Sequence, residues 1–159
     1  MPSPAATDTP LTHAIDKACS GDRSLLRLFI ARRCGLPGER PNLKLAEQIA
    51  HELLSRGKPG EAVLKTLRGL DHSEAPGGSA DEFFPMIGVV ALGMQAKAAP
   101  TLDEANRYLN ELQPFAEDTR NHLRESVLTA VTQALLAQGD GLVESLASWT
   151  DGYLQAHVT

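Results

Sequence analysis

Residues 101–138 read TLDEANRYLNELQPFAEDTRNHLRESVLTAVTQALLAQ. Leu102, Ala105, Tyr108, Leu109 and Leu112 recur at steps of three and four before Pro114, and Leu123, Val127, Ala130, Val131, Ala134 and Leu135 do so after it. That period is one face of an α-helix. The spacing predicts two amphipathic helices joined by a short break. A lone pair of this size cannot hide both of its apolar faces, so it must stack on similar pairs. The architecture this dictates is a set of layered helix hairpins.

The rest of the chain reads the same way. It has 159 residues, enough for one domain with its own core, and 42% of them are hydrophobic while only 4% are aromatic. Ala and Leu fill the apolar positions, which favours helices and lets them approach closely. No run alternates β-branched and polar residues. Val89-Val90 is the best short strand candidate, and it lies inside a longer apolar run that reads better as a buried helix.

Residues 1–10 carry three prolines and are expected to form a loose tail. A first helix is expected from Leu11 to before Gly21. A second runs from Arg23 to Cys34, with Asp22 as its N-cap and Gly35 as its stop. GLPGERP at 35–41 breaks helix with two glycines and two prolines. Asn42 is placed to cap a third helix ending at Gly57. Lys58-Pro59-Gly60 reads as a tight turn, and Glu61 to Leu70 as a fourth helix. DHSEAPGGSA at 71–80 is the main loop, with Ser79 placed to cap the next helix.

Met86 to Ala99 is apolar almost all round, the mark of a central helix. Gly88 and Gly93 would each weaken it by about 1 kcal/mol relative to Ala, so close approach by a neighbouring helix is the expected compensation. Thr101 with Glu104 fits a capping box. Glu117 and Asp118 are expected to open the following helix, and Gly139 to stop it. Leu142 to Gln155, with Trp149, Tyr153 and Leu154, makes the last helix. The fold class expected is all-α, about eight helices in antiparallel pairs, forming a single domain over 11–159.

The segment PFAEDTRNHLRESVLTAVTQALL at 114–136 resembles the turn and second helix of a HEAT repeat unit. Pro114, Asp118, Arg124, Val127, Ala130, Val131 and Ala134 match that unit's pattern, and 43–70 is similar to an earlier pair only loosely. The resemblance covers about 40 residues, in the range of such repeats. It implies a HEAT-like α-α superhelix that presents a concave face made by its second helices. An acidic start, an Arg-bearing second helix and Trp149 also look like the bacterial DNA alkylation repair proteins of the same helical class. That likeness implies a DNA-binding or base-excision module as the rival function. No aromatic cradle is carried over from it.

Charge bears on the partner. The formal net charge is −5, which opposes phosphate backbones unless the cations are segregated on one face. Nucleic acid is therefore disfavoured as a partner, and another protein is expected. Cys19 and Cys34 make no disulfide framework and read as reduced thiols. Residues 1–10 lack the basic start and apolar stretch of a signal peptide, and no apolar run reaches the roughly 20 residues that span a bilayer. A cytoplasmic location without membrane contact is the expectation.

Catalytic chemistry finds no motif. His51-Glu52 does not continue to HExxH, because Ser55 stands at the second ligand position, and His13, His72, His122 and His157 are scattered. No serine lies in a nucleophile-elbow context, and no glycine run fits a phosphate or dinucleotide loop. No metal, cofactor or catalytic residue is assigned, and Trp149 reads as core. The binding candidates are Arg32, Arg33, Arg40 and Lys44, the densest basic cluster, with Asn42 at a helix N-terminus where free N–H groups attract anions. Arg120 and Arg124 are expected to form a second basic patch on the same concave surface. The leading function is a non-catalytic helical domain binding a partner protein. A compact bundle serving as an assembly subunit is the further alternative.

Overall fold

The computed structural model describes residues 9–38, 40–139, 141–144 and 146. The 1–8 part of the expected tail lies outside them, as do Trp149, Tyr153, Leu154 and His157 of the expected last helix. The chain is all-helical, with no strand among the described residues. Its helices are α1 (Pro10–Cys19), α2 (Ser24–Ala31), α3 (Leu43–Leu54), α4 (Lys58–Arg68), α5 (Phe83–Ala98), α6 (Leu102–Leu112) and α7 (Asn121–Gln138). Short 3-10 turns at Ala80–Glu82 and Gln113–Glu117 precede α5 and α7, and a further helical segment starts at 141.

Caps set most of these boundaries. The side chains of Thr9, Asn42 and Thr101 accept from the backbone N–H of Thr12, Leu45 and Glu104, which satisfies donors that a helix N-terminus otherwise leaves unbonded. Thr9 and Pro10 thus belong to α1 rather than to a loose tail. Gly139 ends α7 at φ +75°, a conformation that costs glycine nothing. Several expected boundaries move. Arg23, not Asp22, stands at the N-cap of α2, and α2 ends at Ala31 instead of Cys34. Lys58, Pro59 and Gly60 form the first turn of α4 instead of a turn before it, because a proline there loses no helical hydrogen bond. Ser79 does not cap the next helix, and its hydroxyl donates to Pro76 O instead. Asp118 does not lie in the first turn of α7. Its carboxylate takes the Arg120 N–H at 2.8 Å, and the helix starts at Asn121.

The core is built round α5. Phe83, Met86, Ile87, Val89 and Leu92 are all sealed from water. Each such large side chain contributes about 1.5–3 kcal/mol by burial. Helices α3, α4, α6 and α7 pack against α5, and the all-round apolar composition of 86–99 has this cause. Its glycines sit where neighbours come closest. A Cβ on Gly93 would lie 2.6 Å from Ala130 Cβ of α7, and one on Gly88 would lie 2.6 Å from Arg68 Cβ of α4. Gln138 Nε2 donates to Ala96 O and Ala99 O at 3.1 and 2.9 Å, closing the C-terminal end of α5 with the end of α7. Helix α1 packs on α2, α3 and α4. Val127 is buried and Val131 is packed partly buried against the core, as their period requires. No helix among the described residues is long and apolar enough to cross a membrane.

Candidate functional site

The predicted basic residues do not form one surface. Arg32 and Arg33 are exposed at the end of α2 and line a cleft of about 400 Å³ with His13, Leu25 and Phe29. Arg33 lies over the Phe29 ring, 4.1 Å from its centroid, and donates to Phe29 O at 3.0 Å. Asn42 is brought against this end, because its Nδ2 donates to Arg33 O at 3.1 Å. Its Oδ1 is taken by the Leu45 N–H, so Asn42 closes the 35–41 loop and caps α3 rather than opening an anion site. Arg40 and Lys44 are exposed on either side of it.

Arg120 departs furthest from expectation. It is 5% exposed, and its guanidinium is consumed inside the protein. Nε and Nη2 donate to the two oxygens of Asp118 at 3.0 and 2.9 Å, while Nη1 donates to the carbonyls of Leu70, Ala75 and Asp71 at 3.0, 3.1 and 3.3 Å. A guanidinium carries five N–H donors in a planar fork, which suits one carboxylate and a cluster of carbonyls at once. Burial alone would push the Asp118 carboxyl up. The Arg120 side-chain and backbone hydrogen bonds and its charge outweigh this and hold it below the usual range. Arg120 is thus the tie between α7 and the 70–75 loop. Arg124 is exposed and donates to Asn121 Oδ1 at 2.8 Å.

Glu82 completes this tie. Its carboxylate is buried, yet Oε2 accepts the Leu123 N–H and Oε1 the Gly78 N–H, both at 2.8 Å. A carboxylate at the first turn of α7 meets both unbonded amides and the positive end of the helix dipole. Together Glu82 and Arg120 fix the 70–82 connection to α7. No spacing rule announces either role, because the bonds that tie the two segments, Arg120 to the 70–75 carbonyls and Glu82 to the Leu123 N–H, run to backbone atoms more than forty residues away.

A charged groove of about 540 Å³ lies between α4 and α6. Lys58, Glu61, Lys65 and Arg68 lie along one face of α4, since steps of three and four return to the same side of a helix. Arg107, Tyr108 and Glu111 face them from α6, with Gln95 of α5 between. Arg68 is held in place: its side chain is 15% exposed and Nη2 lies 3.6 Å from Glu111 Oε1. Burial pulls the Arg68 pKa down from its ordinary value, and Glu111 opposes that. Arg107 stacks on Tyr108, 5.2 Å from the ring centroid. Lys58 and Lys65 are exposed, and neither meets a carboxylate among the described residues. The groove carries four cations against two carboxylates in a chain of net charge −5. Of the α4 half, Lys65 and Arg68 stand three apart on the expected fourth helix, whereas Lys58 joins their face only because α4 begins at Lys58 instead of after a turn. The α6 half depends on tertiary packing.

Among the described residues, no three or more His, Cys, Asp and Glu side chains are grouped to hold a metal ion. Cys19 and Cys34 are free thiols. Cys34 is buried, its Sγ 3.4 Å from the Leu36 N–H, and burial raises the pKa of Cys19. No protein-family model, curated protein or solved structure matches this chain.

Proposed function

We propose that this chain is a non-catalytic helical domain that holds an acidic segment of a partner protein in the groove between α4 and α6. The observation that carries this reading is the segregation of Lys58, Lys65, Arg68 and Arg107 on facing sides of one groove in an otherwise acidic chain. Lys58 and Lys65 stand seven residues apart on α4, about 10 Å along its axis. An extended polypeptide sets same-face side chains about 7 Å apart at every second residue, and the long flexible lysine stems close the remaining few ångströms, so two alternate acidic side chains can meet both.

The same groove argues for polypeptide over nucleic acid. Glu61 and Glu111 repel phosphates and acidic side chains alike, but a phosphodiester linkage brings no N–H donor to offset that cost. A polypeptide brings backbone N–H donors that these carboxylates and Gln95 can accept. We read the finer fold as a compact bundle round α5 with α6 and α7 as its HEAT-like pair, rather than an open superhelix. In a solenoid each unit touches only its neighbours, whereas α5 has α3, α4, α6 and α7 about it.

The test is fluorescence anisotropy with a labelled Glu-rich peptide and a single-stranded oligonucleotide of equal charge. The peptide is expected to bind more tightly, and to weaken steeply as salt rises from about 50 to about 300 mM. Lys65→Glu with Arg107→Glu removes the binding. Tighter retention of the oligonucleotide would overturn the protein reading in favour of the nucleic-acid one.

A further inference from the structure

From Ser126 to Gly139 the chain carries no charged residue, although this stretch is most of α7 and one side of α7 faces solvent. A solvated helix face ordinarily holds charges. Here the exposed positions include Leu128 and Leu136, 70% and 83% exposed, with Thr132 between them. Among the described residues the other large apolar side chains left exposed are Leu28, Leu102 and Val143. Two of those lie at the C-terminal end of α7: Val143 in the segment that follows it, and Leu102 packed against Gly141. Apolar side chains gathered on one side of a protein mark an interaction surface.

The polar groups on this side are already bonded. Thr132 Oγ1 donates to Leu128 O at 2.8 Å within the helix, and Gln133 Nε2 donates to Glu47 Oε1 of α3 at 3.0 Å. Covering Thr132 therefore leaves no hydroxyl proton unbonded. Charge decides what covers the face. An acidic or a basic segment finds no counter-charge on it between 126 and 139. A membrane surface asks for cations round the apolar side chains, and α7 has none after Arg124. What fits is an uncharged apolar protein face, and this chain presents one itself.

Leu128, Thr132 and Leu136 stand four apart, so they form one ridge on the helix surface, about 12 Å long. The groove beside it is walled by Val131 and Leu135, both partly exposed. Ridges at steps of four fit the grooves of an identical helix at a crossing angle of about −50°. A two-fold axis sets the residue nearest to it against its own copy. A charge there would repel itself, and an uncharged threonine does not.

We infer that the outer face of α7 is the interface between two copies of this chain, related by a two-fold axis close to Thr132. The ridge of each copy sits in the Val131–Leu135 groove of the other. A contact of this length falls at the small end of specific interfaces, below about 1,200 Å² in total, so the pair dissociates readily. The pair is independent of the α4–α6 groove, which is built on other helices.

Sedimentation equilibrium of the full chain is the test. The weight-average mass is expected to rise from 17.0 kDa toward twice that over about 10–1,000 µM, the range of a weak interface. Amide shifts that track dilution gather at Leu128, Thr132 and Leu136 in the ¹⁵N-labelled chain. Thr132→Lys and Thr132→Glu, at an exposed position, each hold the mass at 17.0 kDa while keeping the circular dichroism of the dilute wild type. An equal mixture of the two restores the heavier species, because opposite charges then meet at the axis. A wild-type mass that stays at 17.0 kDa up to about 1,000 µM, self-association undisturbed by either charge, or a mixture that stays monomeric each overturns the inference. So do dilution-dependent shifts gathered elsewhere, or Leu128 and Leu136 shielded from solvent at every concentration, which would mean that the face is covered within its own chain.

Discussion

Replacing Arg120 by Met keeps a long apolar stem and removes every one of its donors. Five hydrogen bonds go with it, two to Asp118 and three to the carbonyls of Leu70, Asp71 and Ala75. Asp118, with a side chain 12% exposed, is left as a nearly buried charge facing a thioether. Removing one partner of a buried pair costs about 3–5 kcal/mol. Against a total stability of about 5–15 kcal/mol, that is a large fraction. In a domain of this size it corresponds to a fall in Tm of about 6–20 °C. Urea and thermal unfolding followed by far-ultraviolet circular dichroism give the number. Limited proteolysis reports the loop, because cleavage within 71–80 should accelerate once its tie to α7 is gone. A loss below about 1 kcal/mol, the level of an exposed ion pair such as Arg32 could make, would refute the assignment of Arg120 to the interior.

Three more expectations come from the same packing. Gly93→Ala gains helix propensity of about 1 kcal/mol but drives a methyl against the Ala130 backbone, so a net loss of about 1–2 kcal/mol is expected in urea unfolding. Glu82→Gln turns an amide N–H₂ toward the Leu123 or Gly78 N–H and should cost about 1–3 kcal/mol, with earlier amide exchange at the start of α7. Asp118 has a folded pKa below its unfolded value of about 3.9, so its contribution is present above about pH 4 and is lost as pH falls through the folded value. The gap in unfolding midpoint between wild type and Asp118→Asn should accordingly be wide at neutral pH and close in acid. A gap that stays constant would remove Asp118 ionisation from the stability of the fold.

Much of the fold is legible in the sequence because it is local. The almost wholly apolar run of 86–99 announces a central helix, and α5 is that helix, buried from Phe83 to Gly93 and open to solvent only at its C-terminal end. The capping residues Asn42 and Thr101 lie where the caps form, since the bond from side chain to N3 amide spans only three residues. The α4 start misleads because Pro59 and Gly60 signal a turn in isolation, whereas a proline in a helix's first turn loses nothing. Arg120 reads as surface for a deeper reason. An arginine beside an aspartate looks the same whether its remaining donors face water or the carbonyls of a loop about fifty positions earlier, and only the packing of α7 on that loop decides. The groove is half hidden for the same cause. Lys65 and Arg68 share a visible period, but Lys58 joins them only once α4 starts at Lys58, and Arg107 only because α4 and α6 both pack on α5.

Binding in the α4–α6 groove is tested most directly by exchanging the sign of its charge. Wild type and the Lys65→Glu, Arg107→Glu double variant are each titrated with a Glu-rich and a Lys-rich peptide, and the amide shifts are mapped. Wild type should bind only the Glu-rich peptide, with shifts along Lys58–Arg68 and at Arg107–Glu111, and the double variant should prefer the Lys-rich one at the same amides. Binding of the Glu-rich peptide that survives the exchange, or shifts that gather at Arg32, Arg33 and Lys44 instead, would contradict the assignment of that groove.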